Sequence, residues 1–232
     1  MLSIVIPTWN EEKYLPKLLD CIEKQTYRDY EVIVADADST DNTARIARKF
    51  GCRIVKGGNP AIGRNSGAKA AKGDILLFLD ADVQFGNDFL KTSLDEIEER
   101  KLDVAGVYIH PLGGKFVDNV FLEIYNISIS VVQFFYASAY GGGIYCRKWL
   151  HEKINGFDKT ILLGEDLDYV NRASKHGKFR ILKKPGLYFS MRRFDNEGRL
   201  KVGIRHFLSA SYRILFGQIR SNIFNYNLRY RK

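Results

Sequence analysis

Two carboxylates one residue apart, Asp80 and Asp82, directly follow the apolar run Ile75–Leu79. Ligands of open α/β sheets bind beyond the carboxyl ends of the strands, and alternate residues of an extended segment point the same way. Asp80, Asp82 and the amide of Gln84 are therefore spaced to bind one divalent cation, Mn²⁺ or Mg²⁺, together with a phosphate-bearing ligand. An isolated Asp-x-Asp is common at solvated turns, so the motif needs support from the rest of the chain.

A second acidic group, Glu165, Asp166 and Asp168, follows Gly164 and opens a predicted helix that continues to about Lys175. Acids in a first helical turn are stabilised by the helix dipole, which is the structural interpretation of this group. A positioned carboxylate can also take the proton of an attacking hydroxyl group as a general base. Both interpretations stand on the residues alone.

The segments around these acids alternate between strand and helix. The pattern predicts strands at 2–7, 31–35, 53–55 and 75–79, separated by helices at 14–25, 43–50 and 62–71. Further along, it predicts strands at 103–110, 144–146 and 180–182 and helices within 116–139, 147–153 and 164–175. Such alternation indicates an α/β fold with a doubly wound, mainly parallel sheet flanked by helices.

Composition restricts the class of protein further. The chain has 232 residues, of which 45% are hydrophobic, which suits one α/β domain with an extension. Its three cysteines are widely spaced and form no Cys-x-x-Cys pair, which favours a reducing compartment. The N-terminus has no basic leader and no apolar run approaches the roughly 20 residues of a membrane span. We expect a cytoplasmic protein.

The net charge of +9 is concentrated near the C-terminus. Residues 183–232 contain twelve Lys or Arg against Asp195 and Glu197, so this segment carries +10 and the first 182 residues carry −1. Between 202 and 230, arginines alternate with aromatic and aliphatic residues. This composition predicts a basic amphipathic helical segment over 201–232 that binds the anionic inner face of the cell membrane peripherally, or else a helical cover with a solvated basic face.

Four blocks of the sequence, in order, resemble the family 2 glycosyltransferases, which have the nucleotide-sugar-binding fold called GT-A. The blocks are residues 4–12, 34–43, 64–82 and 164–166, within the first 175 residues. The resemblance implies a GT-A domain over residues 1–200, with a nucleotide-binding half at about 1–110 and an acceptor half at about 111–200. It implies a hexosyltransferase that moves a sugar from a nucleoside diphosphate sugar to a hydroxyl group of a glycan or lipid-linked acceptor, with inversion.

The same resemblance implies roles for individual residues. The base of the donor is expected near Pro7, Trp9, Glu11 and Asp36, and the diphosphate near Arg64 and Asn65. Asp80 and Ala81 are expected at the ribose and metal, Asp82 as the principal metal ligand and Gln84 as a further one. Asp166 corresponds to the general base and Glu165 lies on the acceptor side, while Arg192 and Arg193 are expected to close over the diphosphate.

Two departures from the family pattern restrict these implications. The acids after the second strand, Asp36 and Asp38, are separated by Ala37 where two adjacent acids are commonest, so the nucleotide base is not assigned. The Gln-x-x-Arg-Trp signature of processive synthases is absent, which favours transfer of one sugar per encounter.

The sequence also permits one other acceptor and two other functions. An acceptor that is a polyprenyl phosphate is already ionised and has little need of a base such as Asp166. A nucleotidyltransferase also uses acids and a metal, but it would usually have a Gly-rich basic loop after the first strand, where Pro7-Thr8-Trp9-Asn10 stands here. The arginines and aromatic residues near the C-terminus suit a nucleic-acid-binding module, but no recognised motif accompanies them, so nucleic acid is not an expected partner.

Overall fold

Strand β1 (Leu2–Thr8) lies in the middle of the main sheet and is buried along its whole length. Leu2, Ile4 and Ile6 belong to the hydrophobic cluster on one face of the sheet, and Val5 belongs to the cluster on the other face. Because successive side chains of a strand point to opposite faces, both faces of this sheet are apolar and must be covered by helices.

The computed structural model describes residues 1–224, apart from the side chain of Ile214. The remaining strands in this range are β2 (Tyr30–Asp36), β3 (Arg53–Lys56), β4 (Ile75–Leu79), β5 (Val83–Gln84), β6 (Val104–Gly106), β7 (Ile109–Leu112), β8 (Gly143–Arg147), β9 (Phe179–Ile181) and β10 (Leu187–Ser190). The helices in this range are α1 (Leu15–Glu23), α2 (Thr43–Lys49), α3 (Pro60–Ala70), α4 (Phe89–Glu99), α5 (Phe116–Val132), α6 (Lys148–Lys153), α7 (Glu165–Ser174), α8 (Arg192–Glu197) and α9 (Arg199–Phe216).

The main sheet has seven strands in the order β3-β2-β1-β4-β8-β6-β9. Strands β3, β2, β1 and β4 are parallel, β8 is antiparallel to both of its neighbours, and β6 and β9 are parallel. Parallel neighbours bring their carboxyl ends to one edge, so the chain leaves β1, β2 and β4 on the same side of the sheet. The predicted α/β class with a mainly parallel sheet is confirmed.

A smaller sheet of three strands, in the order β5-β10-β7, adjoins the end of β4. Strand β5 begins one residue after Asp82 and pairs antiparallel with β10, where Tyr188 lies opposite Gln84. The backbone N–H of Ser190 also donates to the carbonyl oxygen of Asp82 at 3.1 Å. This pairing brings α8, which follows β10, to the acids that follow β4.

The structure corrects two predicted elements and adds a helix that was not predicted. The single strand expected at 103–110 is two strands, because the chain leaves the main sheet after β6 and enters the small sheet as β7. The strand at 180–182 is not the last one, since β10 follows it. Helix α4 was not predicted, although its buried residues Leu90, Leu94 and Ile97 have helical spacing.

The region predicted as one or two helices at 116–139 contains the single helix α5. Helix α9 confirms a C-terminal helix as far as Phe216, while the part of the predicted segment beyond residue 224 lies outside the described residues. The two helices are joined where they begin, because Arg199 donates two hydrogen bonds of 2.7 Å to the carboxylate of Asp118. Within residues 1–224, no helix combines the length and the apolar character needed to cross a membrane.

Candidate active site

Asp80 and Asp82 leave the end of β4 as predicted, and each is paired with an arginine. Asp80 accepts a hydrogen bond of 3.0 Å from Nη2 of Arg64 and one of 3.2 Å from the hydroxyl group of Tyr140. The Oδ2 atom of Asp82 lies 2.9 Å from Nε of Arg192. The half-buried Gln84 stands in β5, two residues further along. The two strand-end acids are therefore already balanced by positive charge.

Arg192 joins the first and last parts of the site. It donates through Nη1 and Nη2 to the two carboxylate oxygens of Glu11, at 2.8 and 2.9 Å, and its guanidinium carbon lies 4.4 Å from the centre of the Tyr14 ring. Glu11, which was predicted to lie near the nucleotide base, is buried and faces this arginine. Burial raises the pKa of Asp82 to about 6, and the charge of Arg192 acts in the opposite direction.

Arg64, in α3, is buried and links two acids from distant parts of the chain. Its Nη1 donates to Glu165 at 2.8 Å, and its Nη2 is the donor to Asp80. Its guanidinium carbon lies 5.3 Å from the centre of the Phe157 ring. The arginine predicted at the diphosphate thus holds the acids of β4 and α7 in fixed relation.

Asp166, the predicted general base, is the second residue of α7, and its Oδ1 accepts a hydrogen bond of 2.9 Å from the N–H of Leu167. Burial and the neighbouring charge of Glu165 raise the pKa of Asp166 to about 6, while Arg64 acts to lower it. A carboxyl group with a pKa close to neutral can both accept and release a proton during turnover. Asp168, by contrast, is tied to Arg172 at 2.7 Å in a pair within the helix.

Gly141 and Gly142 pass close to Asp166 and to the strand-end acid Asp80. A Cβ atom on Gly141 would lie 2.8 Å from Oδ2 of Asp166, and one on Gly142 would lie 2.9 Å from Oδ2 of Asp80. These distances are shorter than a carbon can approach an oxygen, so the absence of a side chain allows this close passage of the backbone. Tyr140, Gly141 and Gly142 were not among the predicted site residues, because a run of glycines after a helical region indicates only a break in the chain.

The ends of β1 and β2 form the side predicted to bind the nucleotide base. Asp36 accepts hydrogen bonds from the hydroxyl groups of Ser39 and Thr8, at 2.5 and 3.2 Å. Oδ1 of Asn10 accepts from the backbone N–H of Thr40 at 2.8 Å, which connects the loops that follow the two strands. Pro7 is buried at the end of β1 and packs beside α3, while Trp9 is half-buried just beyond the strand.

Three further residues were predicted to contact the donor, namely Asn65, Ala81 and Arg193. The amide of Asn65 donates to and accepts from the backbone of Phe157, both at 2.8 Å, which anchors the loop before α7. Ala81 is buried between the two acids. Nε of Arg193 lies 3.9 Å from the carboxylate of Glu197 within α8. The predicted roles of these residues at the donor stay predictions.

Asp80 and Asp82, the acids that follow β4, are the candidate ligands for a divalent cation. Within residues 1–224, no three or more His, Cys, Asp or Glu side chains converge on one point that could hold a metal ion. Asp80, Asp82 and Gln84 nevertheless provide the hard oxygen donors that Mg²⁺ and Mn²⁺ prefer. The guanidinium of Arg192 already lies between Asp82 and Glu11, so this part of the site accommodates a cation. The donor set fits a metal ion whose other ligands come from a diphosphate.

Comparison with solved structures defines the fold as GT-A. TarS residues 1–349 from S. aureus in complex with UDP-GlcNAc superimpose with a TM-score of 0.68, at 23% identity, over 82% of this chain and 58% of that chain. The mannosyltransferase PcManGT from Pyrobaculum calidifontis, in complex with GDP-Man and Mn²⁺, gives a TM-score of 0.67 at 20% identity, over 82% and 56% of the two chains. The fold predicted from the sequence is confirmed.

The family model of glycosyl transferase family 2 matches residues 3–152, and the chain belongs to this family. A 4,4'-diaponeurosporenoate glycosyltransferase from Staphylococcus haemolyticus is 44% identical over 96 residues, which are 38% of this chain and 25% of the relative. A dolichyl N-acetyl-alpha-D-glucosaminyl phosphate 3-beta-D-2,3-diacetamido-2,3-dideoxy-beta-D-glucuronosyltransferase from Methanococcus voltae is 27% identical over 212 residues, covering 82% of this chain and 66% of the relative. The chain thus spans between a quarter and two-thirds of these relatives.

Proposed function

We propose that this protein transfers a sugar from a nucleoside diphosphate sugar to a hydroxyl group of a glycan or lipid-linked acceptor, with inversion at the anomeric carbon. The observation that carries the proposal is the position of Gly141 and Gly142 next to the Asp166 carboxylate and the Asp80 carboxylate. Because these glycines have no side chains, the backbone passes within contact distance of both carboxylates, and the proposed base and the proposed metal ligand lie along one short segment. A displacement with its attacker activated at one acid and its leaving group stabilised at the other requires such a pair.

Asp166 acts as the general base in this proposal. It takes the proton of the acceptor hydroxyl group as that oxygen attacks the anomeric carbon, and the bond to the diphosphate breaks on the opposite side. Its raised pKa, caused first by burial, makes it a stronger base than an exposed aspartate. Inversion follows because attack and departure occur on opposite faces in one displacement.

Asp80 and Asp82, with Gln84, would hold Mn²⁺ or Mg²⁺ in this proposal, with further ligands from the donor diphosphate. A divalent cation bound there supplies Lewis-acid stabilisation of the negative charge on the departing diphosphate. Arg64 keeps Asp80 and Glu165 in place, and Glu165 lies beside Asp166 on the acceptor side. Arg192, at the start of α8, already contacts Asp82, and in this proposal Arg192 and the adjacent Arg193 contact the diphosphate.

The acceptor is a hydroxyl group in this proposal, and the alternative acceptor is the phosphate of a polyprenyl phosphate. The Methanococcus voltae relative is named for transfer to the 3-position of a lipid-linked sugar, which supports a hydroxyl on such an acceptor. We place the protein on the cytoplasmic face of the cell membrane, as a peripheral protein. The family match gives no support to a nucleotidyltransferase or to a nucleic-acid-binding module.

The test compares Asp166→Asn with the parent in two assays. Thermal stabilisation by UDP and by GDP with Mn²⁺ measures donor-site binding, and release of nucleoside diphosphate from a panel of nucleotide sugars in the presence of membrane extract measures transfer. The variant is expected to bind as the parent does and to lose transfer by roughly 10²-fold or more. Asp168→Asn, which lies outside the proposed site, is the matched control. Parent-like transfer by Asp166→Asn would overturn its role and favour a phosphate acceptor.

A further inference from the structure

The outward side of helix α5 and of the turn that follows it is apolar. Phe116, Ile124 and Phe135 are 84%, 62% and 91% exposed. Among the exposed residues between positions 116 and 136, Glu123 is the one that carries a charge. A surface helix normally has polar residues on its outward side, and a contiguous apolar surface of this extent marks a site of interaction.

Helix α9 has the same arrangement. Leu200 is 77% exposed, Phe207 is 71% exposed and Leu215 is 72% exposed. Its arginines are directed into the protein, since Arg199 pairs with Asp118 and Arg205 lies 2.5 Å from Glu197. The expected solvated basic face is therefore not the outward face of this helix. Apolar side chains point outward instead.

The two apolar faces adjoin at the corner where both helices begin. The ion pair between Arg199 and Asp118 fixes the first turns of α9 and α5 together. The rings of Phe121 in α5 and Phe194 in α8 lie 6.4 Å apart, so the segment that leads into α9 also packs on α5. We define the docking face as the exposed apolar side chains of 116–136 and of α9.

Charge and composition indicate what covers the docking face. Lys115, before α5, and Lys201, in α9, are exposed next to these apolar side chains, and the segment 183–232 carries +10. The eight residues 225–232 include three basic residues and a single aliphatic one, Leu228, so they are too polar to cover two helices. Exposed aromatic and aliphatic side chains beside excess positive charge are the composition of helices that lie in the interface of an anionic bilayer.

We propose that the docking face inserts into the surface of an anionic lipid bilayer, with α5 and α9 lying along the membrane. The inference deepens the proposed function, because it names the surface at which that function meets its acceptor. The inward side of α5 supports this placement. The chain runs from the end of α5 to Gly141, whose backbone lies against the carboxylate of Asp166. In agreement, burial and the charge of Asp166 raise the pKa of Tyr125 in α5. Membrane docking thus brings the acceptor side of the site to the lipid headgroups.

The test is co-sedimentation of the full chain with vesicles of phosphatidylcholine alone and with added phosphatidylserine. It is run at about 0.1 M and about 1 M salt, between which the Debye length falls from about 10 Å to about 3 Å. One triple variant changes α5 (Ile124→Gln, Ile127→Gln, Val131→Gln) and another changes α9 (Leu200→Gln, Ile204→Gln, Phe207→Gln), all at exposed positions. Trp149→Gln, at an exposed position on α6, is the matched control.

The parent and the control are expected to bind phosphatidylserine vesicles and to keep most of that binding at high salt, because insertion is apolar. Each triple variant is expected to bind at least about 10-fold more weakly than the parent. Absence of parent binding, or binding by both triple variants as strong as that of the parent, overturns the proposal. A parent that binds no vesicles but dimerises in solution, and becomes monomeric in the triple variants, shows that a second copy covers the face.

Stabilisation by UDP or GDP with Mn²⁺, measured without vesicles, separates this proposal from the proposed function. A triple variant that loses vesicle binding but is still stabilised by nucleotide supports the docking face and leaves the proposed function untouched. A parent that binds vesicles but no nucleotide overturns the proposed function and leaves the docking face in place.

Discussion

The guanidinium of Arg192 lies 2.9 Å from the carboxylate of Asp82, although 110 positions separate the two residues. The same guanidinium forms two hydrogen bonds with Glu11. A cation bound by the acid that is the proposed principal metal ligand must therefore compete with an arginine or displace it. We therefore expect donor loading to be coupled to the position of α8.

Replacement of Arg192 by glutamine tests this coupling. Arg192→Gln leaves Glu11 and Asp82, two largely buried carboxylates, without their cation, and we expect a loss of stability on the order of 2 kcal/mol. Mn²⁺ is expected to raise the melting temperature of this variant more than that of the parent, because the metal replaces the missing charge. Differential scanning calorimetry with and without Mn²⁺ measures both effects. Lys91→Gln, which breaks an exposed pair with Asp95, is the control. An equal response to Mn²⁺ in the parent and Arg192→Gln contradicts the coupling.

Removal of the Asp82 carboxylate is expected to abolish metal-dependent nucleotide binding. Asp82→Ala deletes the proposed principal ligand while Asp80 keeps its contacts with Arg64 and Tyr140, so the local structure persists. Isothermal titration calorimetry with UDP and GDP, with Mn²⁺ and with a chelator, measures the effect. Asp95→Ala, on the surface of α4, is expected to bind as the parent does. Undiminished Mn²⁺-dependent binding by Asp82→Ala would count decisively against this metal site.

The rate of transfer is expected to depend on pH through Asp166. The base must be unprotonated to accept a proton, so kcat/KM should be constant above about 6 and fall about tenfold per pH unit below it. Glu165 and burial hold this pKa up, while Arg64 acts to lower it. A pH–rate profile, with nucleotide binding measured over the same range, separates the base from effects on the donor. A rate that is constant from about pH 5 to about pH 8 excludes Asp166 as the base with this pKa.

Adding a methyl group to the glycine loop is expected to affect two different steps. The Cβ of Gly141→Ala meets Asp166, so turnover should fall at least about tenfold while nucleotide affinity is kept. The Cβ of Gly142→Ala meets Asp80 and the Tyr140 ring, so Mn²⁺-dependent nucleotide binding should weaken. Steady-state kinetics and calorimetry measure the two outcomes. Gly203→Ala, with open space around its Cβ, is the control. Identical effects of Gly141→Ala and Gly142→Ala on binding and turnover contradict this division.

The local motifs of the site were predictable from the sequence, because the residues that form each one are adjacent in the chain. Asp80 and Asp82 stand at the end of an apolar strand, and Asp166 stands in a first helical turn after a glycine. Strand and helix spacing therefore correctly placed Asp80 and Asp82 after the end of β4, and Asp166 at the beginning of α7. The mainly parallel sheet followed from the regular alternation of the first half of the chain.

The contacts that connect these motifs were not predictable, because they depend on long-range strand pairing. Arg192 reaches Glu11 only because β10 pairs with β5 in the small sheet, and two-residue β5 has too short a pattern to recognise. Arg64 was expected at a phosphate, but its buried position between Asp80 and Glu165 depends on the packing of α3 against α7 and β4. A close approach of backbone to side chain, as at Gly141, likewise has no signature beyond the glycine itself.

On helix α5 the charge of Asp166, the proposed base, acts on Tyr125, while the exposed Ile124 belongs to the proposed docking face. An α-helix with its side chains is about 10–12 Å across. With the outward side in the lipid interface, the helix acts as a spacer that sets the height of the reaction above the membrane. A hydroxyl group on a sugar next to the lipid anchor lies within that height, whereas the far end of a long glycan lies beyond it. In this proposal the thickness of one helix would select acceptors by length.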